Sequence, residues 1–229
     1  MNNFEIDVDL AILSLIKKLQ KNPFIVYSEK DLQAFLSLEL LEIDKNLYET
    51  NVNFNGIQMK TTRVHREYPY VKGSIDIVIF SVKDIKNIDG AQGTKFGYLH
   101  VFKKENQKRS VSCSHLIEIK NPRKNTLEEP LIQKDFKKLR EGYSISEVLK
   151  DTAKLYFFCY HLWDVPVNNY KKIKNQLEIY KKYFEIANLE PEIKFYLLIG
   201  PKNKWRESFL KEIDLSQYLK SPHRQIFFF

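Results

Sequence analysis

The sequence predicts an α/β chain built on a mixed β-sheet flanked by helices, and three observations carry that expectation. Two segments with helical spacing of apolar residues come first, followed by extended segments, then by helices and strands in alternation. The later strands, "KLYFFCYHLW" and "EIKFYLLIG", are continuous apolar runs, as strands covered on both faces must be. No internal repeat, low-complexity stretch or linker interrupts this order. With 229 residues the chain is long enough for one well-packed domain. A single domain over 1–229 is therefore expected, with an N-terminal helix in 1–22 and a core over about 24–200.

Each element has its own justification. Val8, Ile12, Leu15, Ile16 and Leu19 recur at helical spacing between Ile6 and about Lys21, and Pro23 stops that helix. In "YSEKDLQAFLSLELLEI" Ser28 is the expected N-cap, with Asp31 three residues on and Leu32, Phe35, Leu36 and Leu40 as the apolar stripe. From Asn53 the pattern becomes extended. "GIQMKTTRVHREYP" predicts one long strand closed by Pro69, and "GSIDIVIF" the next, after a turn at Lys72-Gly73. Residues 81–112 are polar and hold Gly90, Gly93 and Gly97, which predicts an inserted loop with a hairpin around Phe96 to Phe102. "SHLIEIKN" predicts a further strand, and "PLIQKDFKKLREG" a helix ended by Gly142. "NNYKKIKNQLEIYKKYFEIANLE", between the two apolar strands, predicts a long basic amphipathic helix.

Composition removes several classes of function. At 43% hydrophobic and 29% charged residues the chain is an ordinary globule and not a disordered tail. No run reaches the roughly 18 apolar residues of a membrane span. The start "MNNFEIDVDL" lacks a signal-peptide profile, so a cytoplasmic protein without a membrane partner is expected. Cys113 and Cys159 are too few for a zinc ribbon or a four-thiolate cluster, and two reduced thiols in strands are expected. His65, His100, His115, His161 and His223 show no paired ligand spacing, which argues against zinc. The glycines form no phosphate loop, and no Gly-x-Ser-x-Gly elbow is present. A net charge of +8 and a pI near 9.2 favour an anionic partner such as nucleic acid.

The chemistry concentrates in "SIDIVIF" and "HLIEIKN". Strand side chains alternate, so residues two apart share a face about 7 Å from each other. Asp76 lies opposite Ile75, Ile77 and Ile79, and Glu118 and Lys120 lie opposite Ile117 and Ile119. If the two strands are neighbours in register, Asp76, Glu118 and Lys120 converge on an otherwise apolar sheet. Paired carboxylates repel unless a positive charge sits between them, and Mg²⁺ readily accepts one or two carboxylates while keeping several waters. An ammonium beside a metal-bound water favours its ionisation and stabilises charge on a phosphate under attack. That combination suits hydrolysis of a phosphodiester.

An Asp, a variable gap and Glu-x-Lys on the following strand, with a Glu in a preceding helix, resembles the PD-(D/E)XK nuclease superfamily. The resemblance covers Ser28 to Trp163 and implies a restriction-endonuclease-like core of helix, three antiparallel strands, helix and strand. It assigns Asp76 to the motif aspartate, Glu118 to the acidic residue and Lys120 to the lysine, and places the Ile119 carbonyl among the metal ligands. Glu29 is the best match for the helical glutamate. Ile75 stands where the motif has proline, and the gap from Asp76 to Glu118 is long. The resemblance implies a nuclease acting on DNA ahead of RNA, with Mg²⁺ as cofactor and Mn²⁺ as its substitute. A catalytically silent nucleic-acid-binding or assembly module of the same fold is the alternative.

Around this set, Glu67 in "RVHREYP" is expected as a supporting or substrate group, and such helices in the superfamily often supply a Gln, here Gln133. Arg123, Lys124, Lys134, Lys137 and Lys138 are candidates for a phosphate-binding rim. Tyr170, Tyr180 and Tyr183 are interleaved with lysines, but core packing accounts for them better than base stacking. Nothing in the sequence fixes substrate form, cleavage mode or oligomeric state, which leaves a homodimer open.

Overall fold

The computed structural model describes residues 7–54, 57–70, 73–81, 113–121, 129–147, 153–162, 192–200 and 224–228, together with 178, 182 and 185. Two helices open the chain, α1 (Val8–Lys21) and α2 (Glu29–Ile43). Asp7 caps α1 by accepting from the Leu10 N–H, and Ser28 caps α2 by accepting from the Asp31 N–H at 3.2 Å. The Asp31 carboxylate in turn accepts from the Tyr27 N–H, so the cap is closed from both sides.

A two-stranded hairpin follows, β1 (Thr50–Phe54) with β2 (Ile57–Thr61). The principal sheet then begins with β3 (Val64–Tyr70) and β4 (Gly73–Phe80), continues with β5 (Cys113–Lys120), and gains β6 (Lys154–Leu162), β7 (Ile193–Gly200) and β8 (Arg224–Phe228). Its order is β3-β4-β5-β6-β7-β8: antiparallel from β3 to β5 and parallel from β5 to β8. A third helix, α3 (Glu129–Glu147), lies between β5 and β6 in sequence. The expected α/β architecture with a mixed sheet is what the chain adopts.

Three local expectations are corrected. The single long strand over "GIQMKTTRVHREYP" is two, broken at Thr62 and Arg63. Tertiary partners break it. The Arg63 N–H donates to Leu47 O at 2.6 Å, the Arg63 carbonyl accepts from the Phe80 N–H, and Thr62 Oγ1 bonds Val64 N. Pro69 does not close the strand but lies within β3, an edge strand of this sheet, where a missing N–H costs little. Gly142 does not end α3, which runs to Glu147; an interior glycine costs a helix only about 1 kcal/mol relative to alanine. The loop expected over 81–112 and the basic helix expected over 168–190 lie outside the described residues, apart from Ser81 and the helical Glu178, Lys182 and Glu185.

The sheet is covered on both faces. On one, α1 and α2 bring Ile12, Leu15, Leu19, Leu32, Leu36 and Leu40 against Ile77, Ile117, Ile119 and Phe158. On the other, Phe136 of α3 stacks on Phe157, which stacks on Phe195. Each fully buried side chain of this size contributes roughly 1.5–3 kcal/mol. Cys113 and Cys159 are buried thiols in β5 and β6. Among the described residues no helix is long and apolar enough to cross a membrane.

Candidate active site

The β4–β5 register determines where the charges meet. Pairing runs from Phe80 opposite Cys113 to Ile77 opposite Ile117. Continued by one residue, it sets Asp76 opposite Glu118, and directly opposed residues share a sheet face. The alternate residues Ile77, Ile117 and Ile119 belong to the α1–α2 core, so Asp76 and Glu118 begin on the α3 face. The next main-chain donor on β5, the Ile119 N–H, goes to Asp76 Oδ2 at 2.6 Å. A side-chain carboxylate thus takes a ladder bond and is anchored between the strands. The Ile119 carbonyl leaves the strand on the same side as its N–H, toward Asp76.

Helices from both faces converge on this seam. From α2, Gln33 Nε2 donates to Asp76 Oδ1 at 3.1 Å and to Glu67 Oε1 at 2.9 Å. Glu67 also accepts from Ser74 Oγ at 2.9 Å, and its backbone is in the left-handed region at φ 50°. For a non-glycine residue that conformation is uncommon, and the two bonds to its carboxylate hold it there. Glu29 Oε2 accepts from the Asn121 N–H and lies 3.6 Å from Lys120 Nζ. From α3, Asp135 Oδ2 lies 2.9 Å from Lys120 Nζ and its Oδ1 lies 3.3 Å from Lys138 Nζ. Lys138 Nζ donates to Glu118 Oε2 at 2.8 Å and to the Ser74 carbonyl at 3.1 Å.

The electrostatics are unbalanced. Among the described residues, the buried carboxyls of Asp76, Glu118 and Asp135 share two ammonium groups, Lys120 and Lys138. Burial is the largest influence on Asp76 and pushes it up to about 6, against the Ile119 N–H bond, which favours the anion. Glu118 is fully buried and is pushed well above the usual carboxylate range, first by burial and then by Asp76. Burial lowers Lys120, but Asp135, Glu29 and Asp76 together outweigh it and hold the ammonium protonated above its ordinary range. Glu118 Oε1 is buried with no hydrogen-bond partner.

That orphan oxygen is the test of whether a metal fits. A fully buried carboxylate with one oxygen that lacks a hydrogen-bond partner, on the strand next to a second buried carboxylate, is a hard-oxygen donor set of the kind Mg²⁺ accepts with waters completing its shell. Among the described residues no group of three or more His, Cys, Asp or Glu is arranged to hold a metal ion.

The remaining candidates are placed as follows. Gln133, Lys134 and Lys137 are exposed, while Lys138 is turned into the site. Arg123 and Lys124 lie outside the described residues. Two site residues escaped the sequence reading, Gln33 and Asp135. Both had a signal. Ile132, Phe136 and Leu139 mark the buried face of α3, and Asp135 lies on that face as an acid among apolar residues. Gln33 follows Glu29 by four residues, so the two share one face of α2.

No family model, curated protein or solved structure matches the chain.

Proposed function

We propose that the chain is a metal-dependent nuclease of the PD-(D/E)XK kind, hydrolysing phosphodiester bonds in DNA ahead of RNA. Asp76 and Glu118, with the Ile119 carbonyl, would hold Mg²⁺ or Mn²⁺. When bound, the ion supplies Lewis acidity toward a phosphate oxygen and lowers the pKa of a water. The observation that carries the proposal is the fully buried Glu118 with an unpartnered oxygen, on the strand next to that of the buried Asp76 and followed two residues later by Lys120.

The chain's own groups then divide the work. Lys120 is kept protonated by Asp135 and Glu29, so it serves as a fixed positive charge for the phosphate under attack and not as a proton acceptor. Asp135 orients that ammonium. Gln33 holds Asp76 and Glu67 side by side, which keeps the aspartate from rotating away from Glu118. The net charge of +8, and Lys134 and Lys137 exposed on α3, supply the attraction for a polyanion.

The test is a panel of duplex, single-stranded and branched DNA incubated with the purified chain and Mg²⁺ or Mn²⁺. The expected result is cleavage of at least one form, abolished by chelation and by Asp76→Asn. Salt-sensitive DNA binding with no cleavage of any form would instead identify a silent binding module and overturn the enzymatic proposal.

A further inference from the structure

Lys138 lies deeper than a surface lysine needs to. Its side chain is 16% exposed, and its three N–H groups face three acceptors: Glu118 Oε2 at 2.8 Å, Ser74 O at 3.1 Å and Asp135 Oδ1 at 3.3 Å. The ammonium thus sits on the one carboxylate oxygen of Glu118 that is not orphaned. A divalent cation on Asp76 and Glu118 and an ammonium on the same Glu118 are like charges in a poorly screened interior, and each weakens the other. Asp135 offers Lys138 somewhere to go. It is three residues earlier on the same helix and already in contact, so the ammonium can give up Glu118 without leaving the protein for water.

We propose that Lys138 is the resident counter-ion of the metal-free site: it neutralises Glu118 until a divalent cation arrives, then transfers to Asp135. It thereby sets the cation concentration at which the site loads. The same contact explains how the acid pair survives folding without metal, since two buried carboxylates side by side are destabilising unless a cation or a proton intervenes. This rests on the preceding proposal only in taking Asp76 and Glu118 as the metal-binding pair.

Calorimetric Mn²⁺ titration of the parent, Lys138→Met and the double variant Asp76→Asn/Lys138→Met tests it. Lys138→Met is expected to bind Mn²⁺ at least ~10-fold more tightly than the parent, because a competing charge is gone, and the double variant is expected to lose binding. Equal or weaker affinity in Lys138→Met, beside measurable binding by the parent, overturns the counter-ion role and leaves the metal pair standing. No Mn²⁺ binding by either protein overturns both. Should Lys138→Met fail to fold, amine acetylation of the parent read by mass spectrometry carries the test. Lys138 is expected to label several-fold faster with Mn²⁺ bound, since its contact with Glu118, the shortest of the three, is then lost, and unchanged protection sinks the proposal.

Discussion

Among the described residues two polar clusters interrupt the apolar sheet, one near the start of β7 and one near the end of β5, and they are built on different principles. Near the start, Asp9 of α1 accepts from Lys194, at 2.5 Å, and from the Tyr196 hydroxyl, while Lys194 lies 5.6 Å above the Tyr156 ring. One acid meets one base and one hydroxyl, and the charges cancel. His115 nearby is buried as a neutral ring, pushed down to about 4 by burial first and by Arg63 second, so it adds no charge at neutral pH. Near the end of β5, three buried carboxyls share two ammoniums, and Glu118 Oε1 has neither a hydrogen bond nor an ion pair. The first cluster has the composition of a tie between a helix and the sheet. The second stores unfavourable charge that a stabilising device would avoid, and such sites are where ligands and chemistry are found.

The largest expected effect separates the two clusters by activity. Lys120→Ala should slow DNA cleavage by a factor on the order of 10² or more, because under the proposed mechanism it deletes the charge that would face the phosphate, while Mn²⁺ affinity stays within a few-fold of the parent. Asp76→Asn should remove both. Lys194→Met, in the balanced cluster, should leave the cleavage rate unchanged. A Lys120→Ala protein that cuts at the parent rate would place both clusters in the same structural class.

A second prediction concerns pH. The Asp76 pKa is raised from 3.8 to about 6 in the folded chain, so the folded state holds a proton that the unfolded state has released. The stabilisation is full below pH 4 and is lost as pH rises through about 6. Over that window the metal-free protein should lose on the order of 3 kcal/mol from this group alone, an upper figure because the chain relaxes around a buried charge. Asp76→Asn should flatten that part of the profile, as followed by thermal melts from pH 4 to 7. Mn²⁺ affinity should rise over the same window, because the ion must displace the proton. A parent profile already flat between pH 4 and 7, matching that of the variant, would mean that Asp76 is not held out of water as its burial implies.

The same contrast explains how much was legible in the sequence. Alternation and a guess of neighbouring strands suffice to bring Asp76 and Glu118 together, because a sheet has only two faces and a one-residue slip would bury the wrong set. The Ser28 cap is legible because its bonds span three residues. Asp135 was harder. Gln133 and Asp135 are two residues apart on α3 and project in nearly opposite directions, so choosing between them requires the helix's rotation against the sheet. Ile132, Phe136 and Leu139 supply that rotation once they are taken as the buried stripe. The break at Arg63 was not legible at all, since its partners Leu47 and Phe80 are 16 and 17 residues away in sequence. The left-handed Glu67 likewise depends on Gln33 and Ser74, which no local pattern connects to it.

The smallest effect belongs to the balanced cluster, and its smallness is the point. Lys194 and Asp9 are each about a third exposed, so solvent screens their attraction and holding the long lysine side chain costs entropy. Lys194→Met keeps an unbranched side chain and removes the ammonium, with its ion pair to Asp9 and its position 5.6 Å over the Tyr156 ring. The expected loss is at most about 1 kcal/mol, or ~2–4 °C in melting temperature for a chain of this size. Tyr196 remains to donate to Asp9, so the carboxylate is not left bare. The melt should shift without any change in Mn²⁺ affinity or its pH dependence. A loss several times larger would show that the Asp9–Lys194 tie is held far from water, and a change in metal affinity would show that the two clusters are coupled. Either result would remove the basis for treating one cluster as a fastening and the other as a site.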